Sequence, residues 1–434
     1  MSTILPGRHQ RRIDPTSPAA DGTGFLGPGT LAESEWHTLG LELPDLPQMR
    51  WDRLQRLRDT LRRFDVAGIL LTDPLNVRYA TDSTNMQVWT MHNLVRYAFI
   101  ATEGPVILFD FHSCKHLSEH LEIIDEVRPA TGVFYMGAAT RFEEMARRQA
   151  AEIHDLVRQH GAGNRRLAVD KLSPEALDAL RGHGLEIRNG EEIMELSRVI
   201  KTPEEIRAMR CALAACEAAM AEMQVAMVPG ITEQELWSLL HAGNIKRGGE
   251  WIETRLLSSG ARANPWFREC SSRVIQDGEL VAFDTDLVGA YGYCADISRT
   301  WLCGEGQPSA EQREHFEIAL EQIQYNKALL RPGVSLRELT EQARLLPPEY
   351  LPNHYSVLYH GVGLCDEYPS VYYPGAWADF GYDAVVEEGM VFCVETYVGR
   401  VGGTVGVKLE EQVLITADGT ETLSSYPLQL MPGG

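Results

Sequence analysis

The sequence predicts a mixed α/β protein of two domains, on three observations. From Met49 to about Arg188, apolar residues at helical spacing alternate with short buried-strand runs, as in a small α/β domain. A long amphipathic stretch then follows, with Thr202 and Glu205 spaced as a capping box. Beyond it, two segments read as antiparallel hairpins bearing acidic residues, DTDLVGAYGYCADISRTW from Asp284 and VFCVETYVGR with GTVGVKLEEQ around Gly402 and Gly403. The expected division is an N-terminal arm over 1–46, an α/β domain over 47–192 and a larger α+β domain over 193–434, which 434 residues readily accommodate.

Taken in order, residues 1 to about 46 are rich in Gly, Pro, Ser and Thr without periodicity and read as an extended arm suited to packing on a partner. MRWDRLQRLRDTLRRF, from Met49 to Phe64, reads as a helix, and VAGILLT after it as a buried strand. DFHSCKHLSEH would set His112, His116 and His120 on one helical face. Without an HExxH pattern or a carboxylate partner, that face reads as polar surface. NGEEIMELSRVIKTPEEIRAMRCALAACEAAMAEMQVAM supplies the long amphipathic helix that opens the second domain.

A net charge of −21, from 61 acids against 40 bases, argues against nucleic acid or an anionic membrane as partner and is compatible with a cationic substrate. No apolar run approaches the roughly 20 residues that cross a bilayer, and the N-terminus has bases without an apolar core, so a cytoplasmic protein is expected. The eight cysteines form no CxxC pair and read as reduced core thiols.

The acidic hairpins carry the chemistry. If the first turns near Ala290 to Gly292, Asp286 falls opposite Asp296, and strand alternation puts Asp284 on the face of Asp286. In the second, a two-residue Gly-Gly turn sets Glu395 opposite Glu410 and sends Glu411 to the other face. YHGVGLCDEYP adds His360, followed by glycines that would permit close approach of backbone and metal. Carboxylates gathered this densely require protons or cations, and a pair of divalent metals answers the need. One imidazole among oxygens, with no thiolate, suits Mn, Fe(II), Co or Zn.

TDPLNVRYATD, VIKTPEEIRAMR, SSGARANPWF, ADISRTW, YHGVGL and KLEEQVLIT, in this order, resemble the creatinase, prolidase and methionine aminopeptidase superfamily from about Met49 to the C-terminus. The resemblance implies a creatinase-like N-terminal domain and a C-terminal catalytic domain of the pita-bread fold. It also implies metal ligands at Asp286, Asp296, His360, Glu395 and Glu410. The family's usual aspartate spacing falls between the two available here, Asp284 and Asp286, so both are counted as ligands.

The chain departs from the peptidases of this superfamily in two places. Trp266, in ANPWF, stands where they carry a proton-shuttling histidine, and no histidine follows His360. With STNMQVWTMHN and GGEWIETRLLSSG, the pattern is similar to the pita-bread class of dimethylsulfoniopropionate lyases of marine bacteria. That resemblance implies elimination of dimethyl sulfide from a small sulfonium zwitterion, leaving acrylate, with two metals per subunit, iron foremost, and a homodimer. Asp366 is then the general base. Trp89 and Tyr355 are candidates to embrace the cation, with Trp266 beside the substrate. Two other readings compete: an Xaa-Pro dipeptidase with unfamiliar proton carriers, and a non-catalytic pita-bread protein that binds a partner.

Overall fold

Buried segments between Gly68 and Asn189 assemble one six-stranded sheet. The structure is a computed structural model and describes residues 27–431; the reading of the first 26 residues lies outside them. The strands are β1 (Gly68–Leu71), β2 (Tyr97–Ala101), β3 (Val106–Asp110), β4 (Glu126–Pro129), β5 (Arg166–Val169) and β6 (Glu186–Asn189), in the order β4-β3-β2-β1-β5-β6. β1, β2 and β3 pair antiparallel, whereas β4, β5 and β6 each join their neighbour in parallel. Alternation along β2 sends Ala98 and Ile100 to one core and Tyr97 and Phe99 to another, so the central strands are apolar on both faces. Helix Leu46–Arg63 closes the first face with Leu54, Leu57 and Leu61, and helices Phe142–His160 and Pro174–Gly182 close the second.

Three local expectations are corrected. Within the described part of the N-terminal arm, Thr30–Thr38 is a helix. Its Ala32 and Trp36, four residues apart, pack on Cys211, Ala215 and Ala290 of the same chain. The His112–His120 segment is a run of tight turns, with Cys114 N–H bonded to the Phe111 carbonyl and Leu121 N–H to that of Ser118, so its histidines share no helical face. The stretch from Asn189 forms two helices, Gly190–Arg198 and Pro203–Ala226. The expected capping box of Thr202 and Glu205, with Pro203 at the first helical position, starts the second and ends any continuation of the first.

One apolar cluster of the larger domain is continuous with the N-terminal one. It runs from Ile69 and Leu108 through Met209 and Ala212 of helix Pro203–Ala226 to Val281 and Phe283. Eleven further strands follow: β7 (Trp251–Ile252), β8 (Leu257–Ser259), β9 (Leu280–Asp284), β10 (Leu287–Val288), β11 (Cys294–Ala295), β12 (Ser298–Leu302), β13 (Tyr359–Val362), β14 (Asp366–Val371), β15 (Val391–Gly399), β16 (Gly406–Thr416) and β17 (Gly419–Thr422). They form two three-stranded sheets, β11-β10-β7 and β12-β9-β8, and a five-stranded sheet, β14-β13-β15-β16-β17. Helix Ala310–Leu329 packs Phe316, Ala319 and Ile323 against Phe392, Val394 and Leu409 behind the large sheet. All eight cysteines are free thiols. Among the described residues, no helix is long and apolar enough to cross a membrane.

Candidate metal centre

The first acidic hairpin has the register that its sequence implies. β9 pairs with β12, Asp284 opposite Ser298, and β10 with β11, Leu287 opposite Ala295; both ladders share one register, which sets position 286 opposite 296. Between the ladders the strand breaks at Asp286, whose φ is +36°. Thr285 ties this break down, donating its hydroxyl to the Ala295 carbonyl and accepting the Ile297 N–H. As a result Asp284, Asp286 and Asp296 each bring an oxygen within 4.8 Å of the others.

In the second hairpin Glu395 lies opposite Glu410, as its pattern implies. The turn is longer than the Gly-Gly pair: the ladder ends at Gly399 and Gly406, and residues 400–405 form the loop. Because that loop is symmetric about Gly402 and Gly403, the register survives. Glu411 faces away and pairs with Arg299 at 3.1 Å and Lys327 at 3.0 Å.

His360, on β13 opposite Cys393, completes the set. Its Nδ1 lies 3.0 Å from the Gly361 carbonyl, which makes Nδ1 the donor and leaves the Nε2 lone pair for a metal. Nε2 is 3.4 Å from Glu395 Oε1 and Glu410 Oε1 and 3.5 Å from Asp296 Oδ2. The glycines beyond it do not serve metal approach. A Cβ at Gly361 would strike the Tyr368 carbonyl, and one at Gly363 the Glu367 carboxylate, so they seat β14 and the Glu367 ion pairs with Arg198 and Lys201.

This donor set fits divalent metal. Asp296 Oδ1, Glu395 Oε1 and Glu410 Oε1 are buried with no hydrogen-bond partner, an expensive condition unless a cation faces them. Electrostatics agree. Burial and the neighbouring carboxylates push Asp286 and Asp296 well above the usual range, Asp284 to about 6 and Glu395 to about 8. Burial would also raise Glu410, but Lys408 and His360 hold it well below its ordinary value. For His360 burial opposes charge, and Asp366, Glu395 and Glu410 outweigh it, so its pKa rises.

Lys408, buried with no exposure, has its Nζ 2.9 Å from Glu395 Oε2 and Glu410 Oε2 and 3.2 Å from Asp284 Oδ2, and donates to Ser298 Oγ at 2.9 Å. Ser298 Oγ in turn lies 2.6 Å from Asp284 Oδ1 and 2.7 Å from Glu410 Oε2, with one proton to give to either, and Thr254 donates to Asp286. The thiol of Cys393 points at Asp296 Oδ2 from 3.4 Å, and burial with the neighbouring Asp296 raises its pKa well above the ordinary value, so it stands beside the oxygen ligands as a thiol and not a thiolate. Period two could have exposed two of these: Lys408 shares a strand face with Glu410, and Cys393 with Glu395. Nothing in the sequence marks Thr254 or Ser298.

A cavity of about 410 Å³ opens beside this cluster, lined by Tyr355, His360, Asp366, Tyr368, Tyr382 and Glu395 among others. Asp366, with its side chain 57% exposed, has Oδ1 3.7 Å from His360 Nδ1. It also lines a second cavity of about 440 Å³ shared with Asp73, Met91, Leu94, Lys171 and Glu253. Trp89 lines neither; it sits on helix Gln87–His92, its ring 5.9 Å from Phe111 and 6.3 Å from Phe134. Trp266 is buried beneath the site, 5.9 Å from the Tyr397 ring, and lies outside the cavity lining. Lys408 Nζ stands 4.5 Å from the centre of the Tyr355 ring, which also packs at 5.3 Å on Phe267.

The N-terminal region matches the Creatinase/Prolidase N-terminal domain over residues 53–202, and residues 207–417 match Metallopeptidase family M24. The chain is 46% identical to dimethylsulfoniopropionate lyase DddP of Roseovarius nubinhibens and 45% identical to that of Roseobacter denitrificans, each over 96% of both chains. Its fold is also that of an Xaa-Pro dipeptidase from Bacillus anthracis, with a TM-score of 0.72 at 23% identity over 88% of this chain and 99% of that one. With a complete carboxylate and histidine cluster on this scaffold, the chain belongs to the DddP family, on the creatinase/prolidase fold.

Proposed function

We propose that the protein is a metal-dependent carbon-sulfur lyase that converts dimethylsulfoniopropionate to dimethyl sulfide and acrylate. The observation that carries the reading is Asp366, a carboxylate in the cavity wall next to His360, while the position of the peptidase histidine is filled by buried Trp266. Asp286, Asp296, His360, Glu395 and Glu410 would hold the metal, with Asp284 shared between it and Lys408. When bound, the metal supplies positive charge that holds the substrate carboxylate and acidifies the adjacent C–H.

The chain's own groups do the rest. Asp366 removes the α-proton; that electron pair becomes the new carbon-carbon double bond as the C–S bond breaks and sulfur departs with its pair as neutral dimethyl sulfide. Exposure of Asp366 then lets the proton return to water. Tyr355, whose ring is engaged by the Lys408 ammonium and by Phe267, also lines the cavity, where burial and Glu395 raise its pKa and keep its hydroxyl a donor.

The same reading includes two iron ions per subunit, favoured by an oxygen-rich set with one imidazole. Free cysteines support a cytoplasmic location. A homodimer is supported by the exposed apolar group of Met86, Val88, Trp89 and Met91 on the N-terminal domain, which makes Trp89 a subunit contact in place of a substrate contact in its own chain. The reading keeps domain limits near 46, at the start of helix Leu46–Arg63, and near 192, inside helix Gly190–Arg198 and short of the break before Thr202.

Metal-loaded protein given dimethylsulfoniopropionate should release dimethyl sulfide in the headspace and an equimolar amount of acrylate by chromatography. Hydrolysis of proline dipeptides without sulfide release would replace the lyase with a peptidase.

A further inference from the structure

We infer that Tyr368, backed by Tyr382, is the principal cation-recognising surface of the substrate cavity. This rests on the lyase reading, because it assigns the onium end of the same substrate. Strand β14 contributes Asp366, Glu367, Tyr368 and Ser370 to the lining of the cavity that holds His360, with Glu367 the buried member and Asp366, Tyr368 and Ser370 the more exposed ones. Tyr368 therefore lines the same cavity as the base, two residues along the strand. A substrate whose α-carbon meets Asp366 can place its sulfonium there.

The other candidates in the cavity are engaged. Glu367 is paired with Arg198 and Lys201. Glu195 is paired with Arg198 and accepts the Tyr368 N–H at 2.9 Å. Tyr355 has the Lys408 ammonium 4.5 Å from its ring centre and Phe267 packed on it. Tyr368 has one neighbour ring, Tyr382, stacked at 5.7 Å and 21°. The Tyr382 hydroxyl is fixed by the Ser370 N–H at 2.6 Å, so the stacked pair is anchored to the strand. Tyr368 lines the cavity, and an onium seated over its ring is attracted by the ring quadrupole.

The ligand class is a small carboxylate carrying a sulfonium or quaternary ammonium group. The test uses the metal-loaded full chain with Tyr368→Phe and Tyr368→Leu, titrated calorimetrically with propionate and with the trimethylammonium analogue of the substrate. Tyr368→Leu should weaken the onium ligand by roughly 2- to 30-fold and raise KM for the sulfonium substrate similarly, whereas propionate binding stays unchanged and Tyr368→Phe behaves like wild type. Equal weakening of both ligands, or unchanged onium binding in Tyr368→Leu, would overturn the assignment. Wild-type protein that released no sulfide yet bound the onium ligand through Tyr368 would fault the lyase reading alone.

Discussion

Lys408→Met offers a quantitative probe of the centre. The ammonium lies 2.9 to 3.2 Å from one oxygen each of Asp284, Glu395 and Glu410, fully buried, with the rings of Tyr355 and Trp266 at 4.5 and 6.0 Å. Removing one partner of a buried ion pair typically costs about 3–5 kcal/mol, because the charge left behind keeps its desolvation penalty without compensation. Methionine has nearly the same length, so the loss is electrostatic and leaves no large void. In metal-free protein the full cost should appear, since three carboxylates lose their fixed cation together. Bound metal faces the same carboxylates and should offset much of it. Urea unfolding of chelated and metal-loaded samples reads both values. Equal losses with and without metal, or a metal-free loss below about 1 kcal/mol, would refute Lys408 as the standing counter-charge.

Other outcomes follow from the same geometry. Glu395 titrates at about 8 in the metal-free fold against an ordinary 4.5, so the folded state keeps a proton that the unfolded chain releases. Its contribution is therefore fully present below pH 4.5 and lost as pH rises through 8. Urea midpoints of chelated protein should fall across that window, and metal loading should flatten the fall, with proton release on binding; a flat chelated profile contradicts this. His360→Ala removes the imidazole and should lower bound metal in elemental analysis while the helical circular dichroism persists; unchanged metal would remove His360 from the ligand set. Gly361→Ala drives a methyl group into the Tyr368 carbonyl and should destabilise by about 1–3 kcal/mol, whereas the same change at open Gly306 should be nearly silent.

Register was the part of the centre legible from sequence. Glu395 and Glu410, and the positions of Asp286 and Asp296, oppose each other because period two and a symmetric turn fix strand pairing even when the turn itself, as at residues 400–405, is misjudged in length. The capping box at Thr202 was equally legible, since its geometry is local. What depends on tertiary packing was not. Nothing local says that Lys408 turns inward onto three carboxylates, or that it occupies the face of Tyr355 that a substrate cation would need. The ring neighbours of Trp89, Phe111 and Phe134, were hidden for the same reason, lying far along the sequence. The helix Thr30–Thr38 was hidden by the Gly- and Pro-rich composition around it, because two apolar residues four apart are too weak a period to stand out.

The most direct test compares wild type with Asp366→Asn at equal, measured metal content. Asparagine keeps the shape of the side chain and cannot accept the α-proton. Sulfide and acrylate should fall together by at least about 100-fold, with metal occupancy unchanged. An Asp366→Asn protein that still releases both products at near wild-type rates would place the base elsewhere and contradict the elimination assigned to this cavity.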